Sequence, residues 1–189
     1  MRLKTSVACS FALVATLAGT AAAQASGPPA GNPPAPAPRT QSDFYVPLYG
    51  VVAGISIPIG RLADDHAAGY AVGGVIEYAV SGQPYSLRGE ADLQHFALKS
   101  GRTGDNSNVL SLGTTIVYRL QQATAQPFVT GGIAIYSATH EGVRPGFNGG
   151  TGVEIPLTGF SAVAEVRLHV MLADSRPILT LPITVGVRF

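Results

Sequence analysis

Tryptophan is absent from this sequence of 189 residues, and cysteine occurs once, at position 9. A single cysteine excludes an intrachain disulfide and a cluster of thiolate metal ligands. Charged residues make up only 12% of the chain, against roughly 25% in an average soluble domain. Together with 46% hydrophobic residues, this composition excludes a disordered chain, and the 12 thinly spread basic residues exclude the basic patch of a nucleic-acid-binding protein.

Long apolar runs are also missing beyond the extreme N-terminus, although the mean hydropathy of the chain is positive, at +0.27. The absence of about 18 consecutive apolar residues elsewhere excludes a helical membrane protein of the usual kind. The N-terminal run, 7–18, follows Arg2 and Lys4 and precedes a series of small residues. This is the layout of a secretory signal peptide, which we predict over residues 1–25.

Proline is concentrated just after this segment, between residues 27 and 39. Proline has a fixed φ angle and no amide donor, so it favours a solvated, extended chain. We predict a disordered lead-in over residues 26–43, with a peptide ligand or a spacer toward the cell wall as the alternative. Residues 44–189 then form the folded domain.

Apolar and polar residues alternate with a period of two from Leu48 onward, which predicts strands rather than helices. The connections after the second, fourth and sixth segments are short, and the others are longer. This pattern is typical of an eight-stranded antiparallel up-and-down transmembrane β-barrel. The predicted strands are 48–59, 70–81, 85–98, 109–121, 127–138, 147–157, 160–172 and 178–189.

Aromatic residues lie near the ends of the predicted strands. Two aromatic girdles at the membrane interfaces would account for this placement, whereas a soluble barrel places aromatics in its core. The girdle at the short-turn end is predicted to contain Tyr49, Tyr78, Tyr85, Tyr118, Phe128 and Phe160. The girdle at the other end is predicted to contain Tyr70, Phe96, Tyr136 and Phe147.

Charged residues within the strands share the face that carries Ser, Gly and Thr, and they avoid the Leu, Val and Ile face. A charge near the middle of the lipid face costs about 2–4 kcal/mol, so we predict that this polar face lines the lumen. The predicted lumen network consists of Glu77, Arg88, Glu90, Asp92, Arg119, Glu154, Glu165, Arg167 and Arg188. A path for protons or ions is the alternative interpretation of these charges.

The last predicted strand ends in Thr184-Val185-Gly186-Val187-Arg188-Phe189. A terminal Phe on an alternating strand resembles the signal by which outer-membrane barrels are recognised for assembly, and the chain resembles the small OmpA-like, or opacity-type, outer-membrane β-barrel family. The resemblance implies a monomer in the outer membrane of a Gram-negative-type bacterium, in contact with lipids and lipopolysaccharide. It also implies barrel assembly machinery and periplasmic chaperones as partners during biogenesis, with Phe189 as the assembly signal.

The role implied by this resemblance is non-enzymatic, either structural or in surface interaction, and the alternatives are a small pore or a lipid-modifying barrel enzyme. Glu165, His169 and Ser175 are candidates for a catalytic triad, and the segment 64–66 (Asp-Asp-His) is a candidate for a cation site. Neither has defined spacing, so no catalytic residue, cofactor or metal is predicted. A soluble lipocalin-like barrel, with its apolar face turned inward around a ligand, is a further alternative.

Overall fold

The computed structural model describes most of the predicted barrel domain. The predicted signal peptide and proline-rich lead-in lie outside the described residues. The described ranges are 47–80, 83–120, 124–139, 141–174 and 176–189.

Eight antiparallel strands form a closed barrel in which each strand pairs with the next along the chain. The predicted fold class is therefore confirmed. The strands are β1 (Leu48–Ile59), β2 (Gly69–Ala79), β3 (Tyr85–Phe96), β4 (Ser107–Arg119), β5 (Gln126–Ala138), β6 (Gly142–Pro156), β7 (Ser161–Met171) and β8 (Ile178–Arg188).

The barrel closes where β1 pairs with β8. Tyr49 and Phe189 exchange two backbone hydrogen bonds, with N···O distances of 3.1 and 2.8 Å. A short helix, α1 (Arg61–Asp65), follows β1. Among the described residues, no helix is long and apolar enough to cross a membrane.

The connections lie on two rims of the barrel. The turn rim carries the connections from β2 to β3, from β4 to β5 and from β6 to β7, together with the ends of β1 and β8 that meet at Phe189. The loop rim carries the other four connections, which span 60–68, 97–106, 139–141 and 172–177.

Strand β6 is longer than the alternation predicts, since it begins at Gly142 rather than at residue 147. The predicted long connection between β5 and β6 is therefore wrong, and this connection spans only 139–141. Gly142 has a φ of 69°, which allows the tight turn. Pro145 is tolerated because the ladder between β6 and β7 begins only at Gly146, so its missing amide breaks no pair of that ladder, while its carbonyl accepts from Leu172 N at 2.9 Å.

Pro182 lies inside β8 without a bulge. On either side of it β7 and β8 keep one register, since Val166 faces Ile183 and His169 faces Thr180. The two pairs between these positions are missing from the ladder, as expected for a residue that has no amide donor. The opposite neighbour, β1, remains paired along this stretch, and Ser56 faces Pro182.

Candidate functional site

The outer wall of the barrel is apolar. Alternate residues of every strand point outward, and a band of exposed Leu, Ile and Val side chains results. It includes Val51, Ile55, Val72, Leu87, Leu110, Leu112, Ile116, Val129, Ile133, Ile135, Val166, Ile183 and Val185. Soluble monomers rarely expose apolar patches of more than a few hundred Å², so a band on all strands indicates contact with lipid. The lipocalin-like alternative is wrong, because it requires this face to point inward.

Aromatic side chains lie on the outer wall at both rims. Tyr70 and Phe147 are exposed near the loop rim. Those exposed near the turn rim are Tyr49, Tyr78, Tyr85, Tyr118, Phe160 and Phe189. Aromatic rings at these two heights suit the interfaces of a bilayer, where the ring of a tyrosine contacts lipid and its hydroxyl contacts water.

Phe128 does not lie on the outer wall, and its predicted place in the girdle is wrong. Its side chain is 0% exposed and packs inside the barrel with Val117 and Val163. The guanidinium carbons of Arg88 and Arg188 each lie 5.6 Å from the centre of its ring. Such cation–π contacts stabilise the two charges in a space that excludes water.

Phe96 and Tyr136 also point inward rather than into the girdle at the loop rim. Both belong to an apolar cluster that fills this end of the lumen, and α1 contributes Leu62 to it. Phe96, Phe128 and Tyr136 do lie near the ends of their strands, as predicted. The alternation shows the face on which they lie, since Phe128 and Tyr136 fall on the same alternate positions as buried Thr130 in β5, and Phe96 on those of buried Gln94 in β3.

The nine charged residues of the predicted network all lie inside the barrel. Seven are buried, whereas Asp92 and Arg119 are partly buried. Four arginines and five carboxylates therefore share one lumen. Ion pairs inside a protein need several partners each to offset the loss of hydration, so the arrangement of these pairs matters.

Glu77 is the centre of the network near the turn rim. Its carboxylate accepts a hydrogen bond from Arg88 Nε at 3.1 Å, and it forms ion pairs with Arg119 Nη2 at 2.5 Å and Arg188 Nη1 at 3.3 Å. The hydroxyl of Ser86 donates to the same carboxylate. Glu154 also forms ion pairs with two of these arginines, with Arg119 Nη2 at 3.0 Å and Arg188 Nη1 at 3.1 Å. Two carboxylates and three guanidiniums thus form one continuous cluster.

Glu165 extends the network toward the middle of the barrel. It accepts from Arg88 Nη1 at 3.0 Å and from Arg167 Nη2 at 2.6 Å. Arg167 also pairs with Glu90, which in turn accepts from the hydroxyl of Thr115 at 2.8 Å. Within the described residues, each lumenal arginine forms ion pairs with two glutamates.

Asp92 differs from the four glutamates in its partners. It accepts from the amide of Gln94 at 3.1 Å and from the hydroxyl of Ser111. Both donors are neutral. No ion pair of Asp92 is present among the described residues, so this carboxylate lies outside the guanidinium network.

The lumen is closed by these side chains. Arg88 and Arg188 are almost completely buried, and both guanidiniums lie against the ring of Phe128. At the other end the apolar cluster around Phe96 and Leu62 fills the interior. An eight-stranded barrel has an interior just wide enough to be filled by side chains, which agrees with this packing.

The loop rim is held by ion pairs between connections. Arg61 Nη2 lies 2.6 Å from Glu141 Oε1, and Arg144 pairs with Asp174. Asp65, from the segment considered as a cation site, lies 3.5 Å from Arg102 Nε. In the described part of the chain, no group of three or more His, Cys, Asp or Glu side chains is arranged to hold a metal ion.

Comparison with known proteins supports this architecture. No protein-family model matches the sequence, and no curated protein matches it. The structure resembles Neisserial surface protein A, NspA, with a TM-score of 0.59 and 16% identity, over 75% of this chain and 95% of that chain. OprG from Pseudomonas aeruginosa gives a TM-score of 0.49 at 12% identity, over 75% of this chain and 95% of its own. The outer membrane enzyme PagL also gives 0.49, at 14% identity, over 76% and 99%.

The fold is that of the small outer-membrane β-barrels. At these identities the likeness concerns architecture alone, so the activity of the chain depends on its own side chains. The fold implied by the OmpA-like resemblance is confirmed, and the alternation of the strands was sufficient to predict it.

The side chains considered for a triad do not come together as one in this outer-membrane barrel fold. Glu165 forms ion pairs with two arginines, and among the described residues no hydrogen bond joins it to His169. His169 is buried in the lumen, where its ring lies 5.7 Å from that of Tyr136 in an edge-on arrangement. Ser175 lies outside the described residues.

Proposed function

We propose that this protein is an integral, monomeric outer-membrane β-barrel with a structural role in the bacterial envelope, and that it is not an enzyme. The observation that carries this proposal is the segregation of side chains across one wall. Apolar residues cover the outside, and nine charged residues are confined to the inside. Only a lipid environment favours that distribution, because the cost of a lipid-facing charge near the midplane is about 2–4 kcal/mol.

The closed lumen favours a structural barrel over a small pore. A conducting path would have to pass Arg88 and Arg188, which are held by carboxylates and by the ring of Phe128. It would also have to pass the apolar cluster at the loop rim. We therefore expect a purified barrel in a planar lipid bilayer to show no stable ion conductance. Reproducible unitary currents would contradict this expectation.

The small loop rim favours a structural role over dedicated adhesion. Binding specificity in such barrels would come from loops that extend beyond the membrane. Here the connection between β5 and β6 spans only 139–141, and the connection from β1 folds back as α1, with Leu62 inside the barrel. The loop rim therefore offers little surface for a protein partner.

The proposed partners are outer-membrane lipids and lipopolysaccharide, with barrel assembly machinery and periplasmic chaperones during biogenesis. Phe189 remains the proposed assembly signal. Its backbone pairs with Tyr49, and its exposed ring lies 6.4 Å from that of Phe160. Phe189→Ser should lower the amount of assembled protein in the outer membrane while leaving refolding into detergent unchanged. Equal loss in both measurements would indicate a purely structural role for this residue.

The central test is insertion into a membrane. The barrel refolded into phospholipid vesicles should stay with the lipid fraction after a carbonate wash, and it should migrate faster on a gel before boiling than after. Val143→Arg, at the rim, serves as the matched control for Leu112→Arg at mid-strand. A stable, monomeric protein purified without detergent would overturn the proposal.

A further inference from the structure

A cavity of about 40 Å³ lies inside the barrel near the middle of the strands. One wall consists of small or apolar residues of β1, β2 and β8, among them Val52, Gly73 and Thr184. The rest of the lining includes Glu90 and Asp92 of β3, the strand paired with β2, and His169 of β7. Since one water requires about 10–15 Å³ measured in this way, the cavity has room for a few water-sized groups.

The charge beside this cavity is unbalanced. Four lumenal arginines form ion pairs with four glutamates. Asp92 is the fifth carboxylate, and its partners are the neutral side chains of Gln94 and Ser111. A carboxylate enclosed at membrane depth is costly unless a positive charge or several donors stabilise it.

Two residues that line this cavity each have a buried polar atom without a hydrogen-bond partner among the described residues. These atoms are Oε2 of Glu90 and Nδ1 of His169. Both side chains are more than nine-tenths buried, with 7% and 4% of their surfaces exposed. Buried polar groups without a partner are rare in proteins, and ordered water or an ion commonly accounts for them. They are independent of the charge of Asp92 and indicate a polar occupant.

We propose that this cavity binds one monovalent cation, such as Na⁺ or K⁺, together with water molecules of its hydration shell. Asp92 supplies the compensating negative charge, and Glu90 Oε2 and His169 Nδ1 contact the water molecules. A directly coordinated divalent metal does not fit, because the described residues contain no group of three suitable ligands. Arg167 also lines the cavity, and its positive charge disfavours an ion of higher charge.

This inference goes beyond the proposed structural role, which requires no bound ion. The cation is held in place rather than conducted, since the ionic cluster around Glu77 closes one side of the lumen and the apolar cluster closes the other. It would neutralise the single excess carboxylate at the depth where hydration from outside is weakest.

The test compares thermal unfolding of the refolded barrel in detergent micelles containing sodium, potassium or choline chloride, at equal ionic strength and pH. Choline is too large for a cavity of about 40 Å³. We expect the unfolding midpoint in sodium or potassium to exceed that in choline by about 3–6 °C once the ion reaches about tenfold its dissociation constant. Equal midpoints in all three salts would overturn the proposal.

Asp92→Asn keeps the shape of the side chain and removes its charge, so its midpoint should no longer depend on the cation. Asp64→Asn, which changes an exposed carboxylate in α1, should retain the dependence of the native protein. A cation dependence that survives Asp92→Asn would overturn the assignment of the site.

Anomalous diffraction from native crystals soaked in rubidium chloride keeps the proposal testable even where Asp92→Asn does not fold. We expect an anomalous peak in the cavity, within one water layer of Asp92. A difference map without a peak there would overturn the proposal. Neither outcome affects the proposed structural role, which depends on insertion into lipid.

Discussion

The outer face and the lumen of this barrel are built from alternate residues of the same strands, yet their chemistry is opposite. In β4, Leu112 is exposed on the outer wall while the neighbouring Ser111 is buried and donates to Asp92. On the outer face, lipid favours each apolar side chain independently of its neighbours. The lumen holds charges that depend on one another, so the loss of one leaves others without partners. Removing a charge should therefore destabilise the lumen, whereas adding a charge should destabilise the outer face.

The largest effect is expected from removing a charge inside the lumen. Arg88→Met leaves Glu77 and Glu165 each without one of their guanidinium partners. The free energy of unfolding should fall by about 3–5 kcal/mol, because breaking one member of a buried ion pair leaves an uncompensated charge. Urea unfolding in lipid vesicles measures this loss. A decrease below about 1 kcal/mol would show that the network is redundant.

A charge added to the outer face should have the next largest effect. Leu112→Arg lies near the middle of β4, where a lipid-facing arginine costs about 2–4 kcal/mol. Val143→Arg lies near the loop rim, where the same charge costs about 0–1 kcal/mol. Refolding yields and unfolding free energies of the two variants should differ accordingly. Equal effects would contradict the placement of these residues relative to the bilayer.

An added methyl group distinguishes the two faces more finely. In the lumen, Gly152→Ala would place its Cβ 2.4 Å from Phe128 Cζ and 2.5 Å from the carbonyl oxygen of Ala164. Such overpacking should lower the free energy of unfolding by about 1–3 kcal/mol. On the outer face, Gly131→Ala meets its nearest atom at 4.0 Å and should be tolerated. A comparable loss of unfolding free energy in both variants would contradict the placement of Phe128 beside Gly152.

The smallest effect is expected outside both regions, at the loop rim. Arg102→Ala removes a 3.5 Å ion pair with Asp65 in which both side chains are about half exposed. Exposed pairs contribute about 0–1 kcal/mol, so thermal unfolding should barely change. A loss comparable to that of Arg88→Met would mean that this pair is shielded from water.

The sequence predicts the strands and their two faces better than the side-chain contacts inside the lumen. Strands such as β4 and β7 alternate without interruption, so their faces and approximate bounds follow directly from the period of two. The sequence does not predict that β6 begins at Gly142, because Gly142 and Pro145 are residue types typical of loops. Only the position of Pro145 beyond the end of β7 makes it acceptable in a strand.

The contacts inside the lumen depend on geometry that no local pattern contains. Arg88 and Glu165 are 77 positions apart and meet across the barrel. The parity of the strands predicts that both point inward, but not that they touch. The prediction for Phe128 is wrong for a different reason. Its distance from the strand end suggests the girdle, but its place in the inward–outward alternation of β5 determines the face on which it lies. Parity alone would have placed it among the arginines.

Closure of the ring also has a consequence for the order of events during folding. The first strand is hydrogen-bonded to the last, and the final contact joins Tyr49 to Phe189. Until β8 has been synthesised, β1 presents an open row of amides and carbonyls that no part of the chain can satisfy. Pairing partners so distant in sequence form slowly. β1 is therefore the strand whose second partner is synthesised last, and the chain must be kept from aggregating until β8 is available.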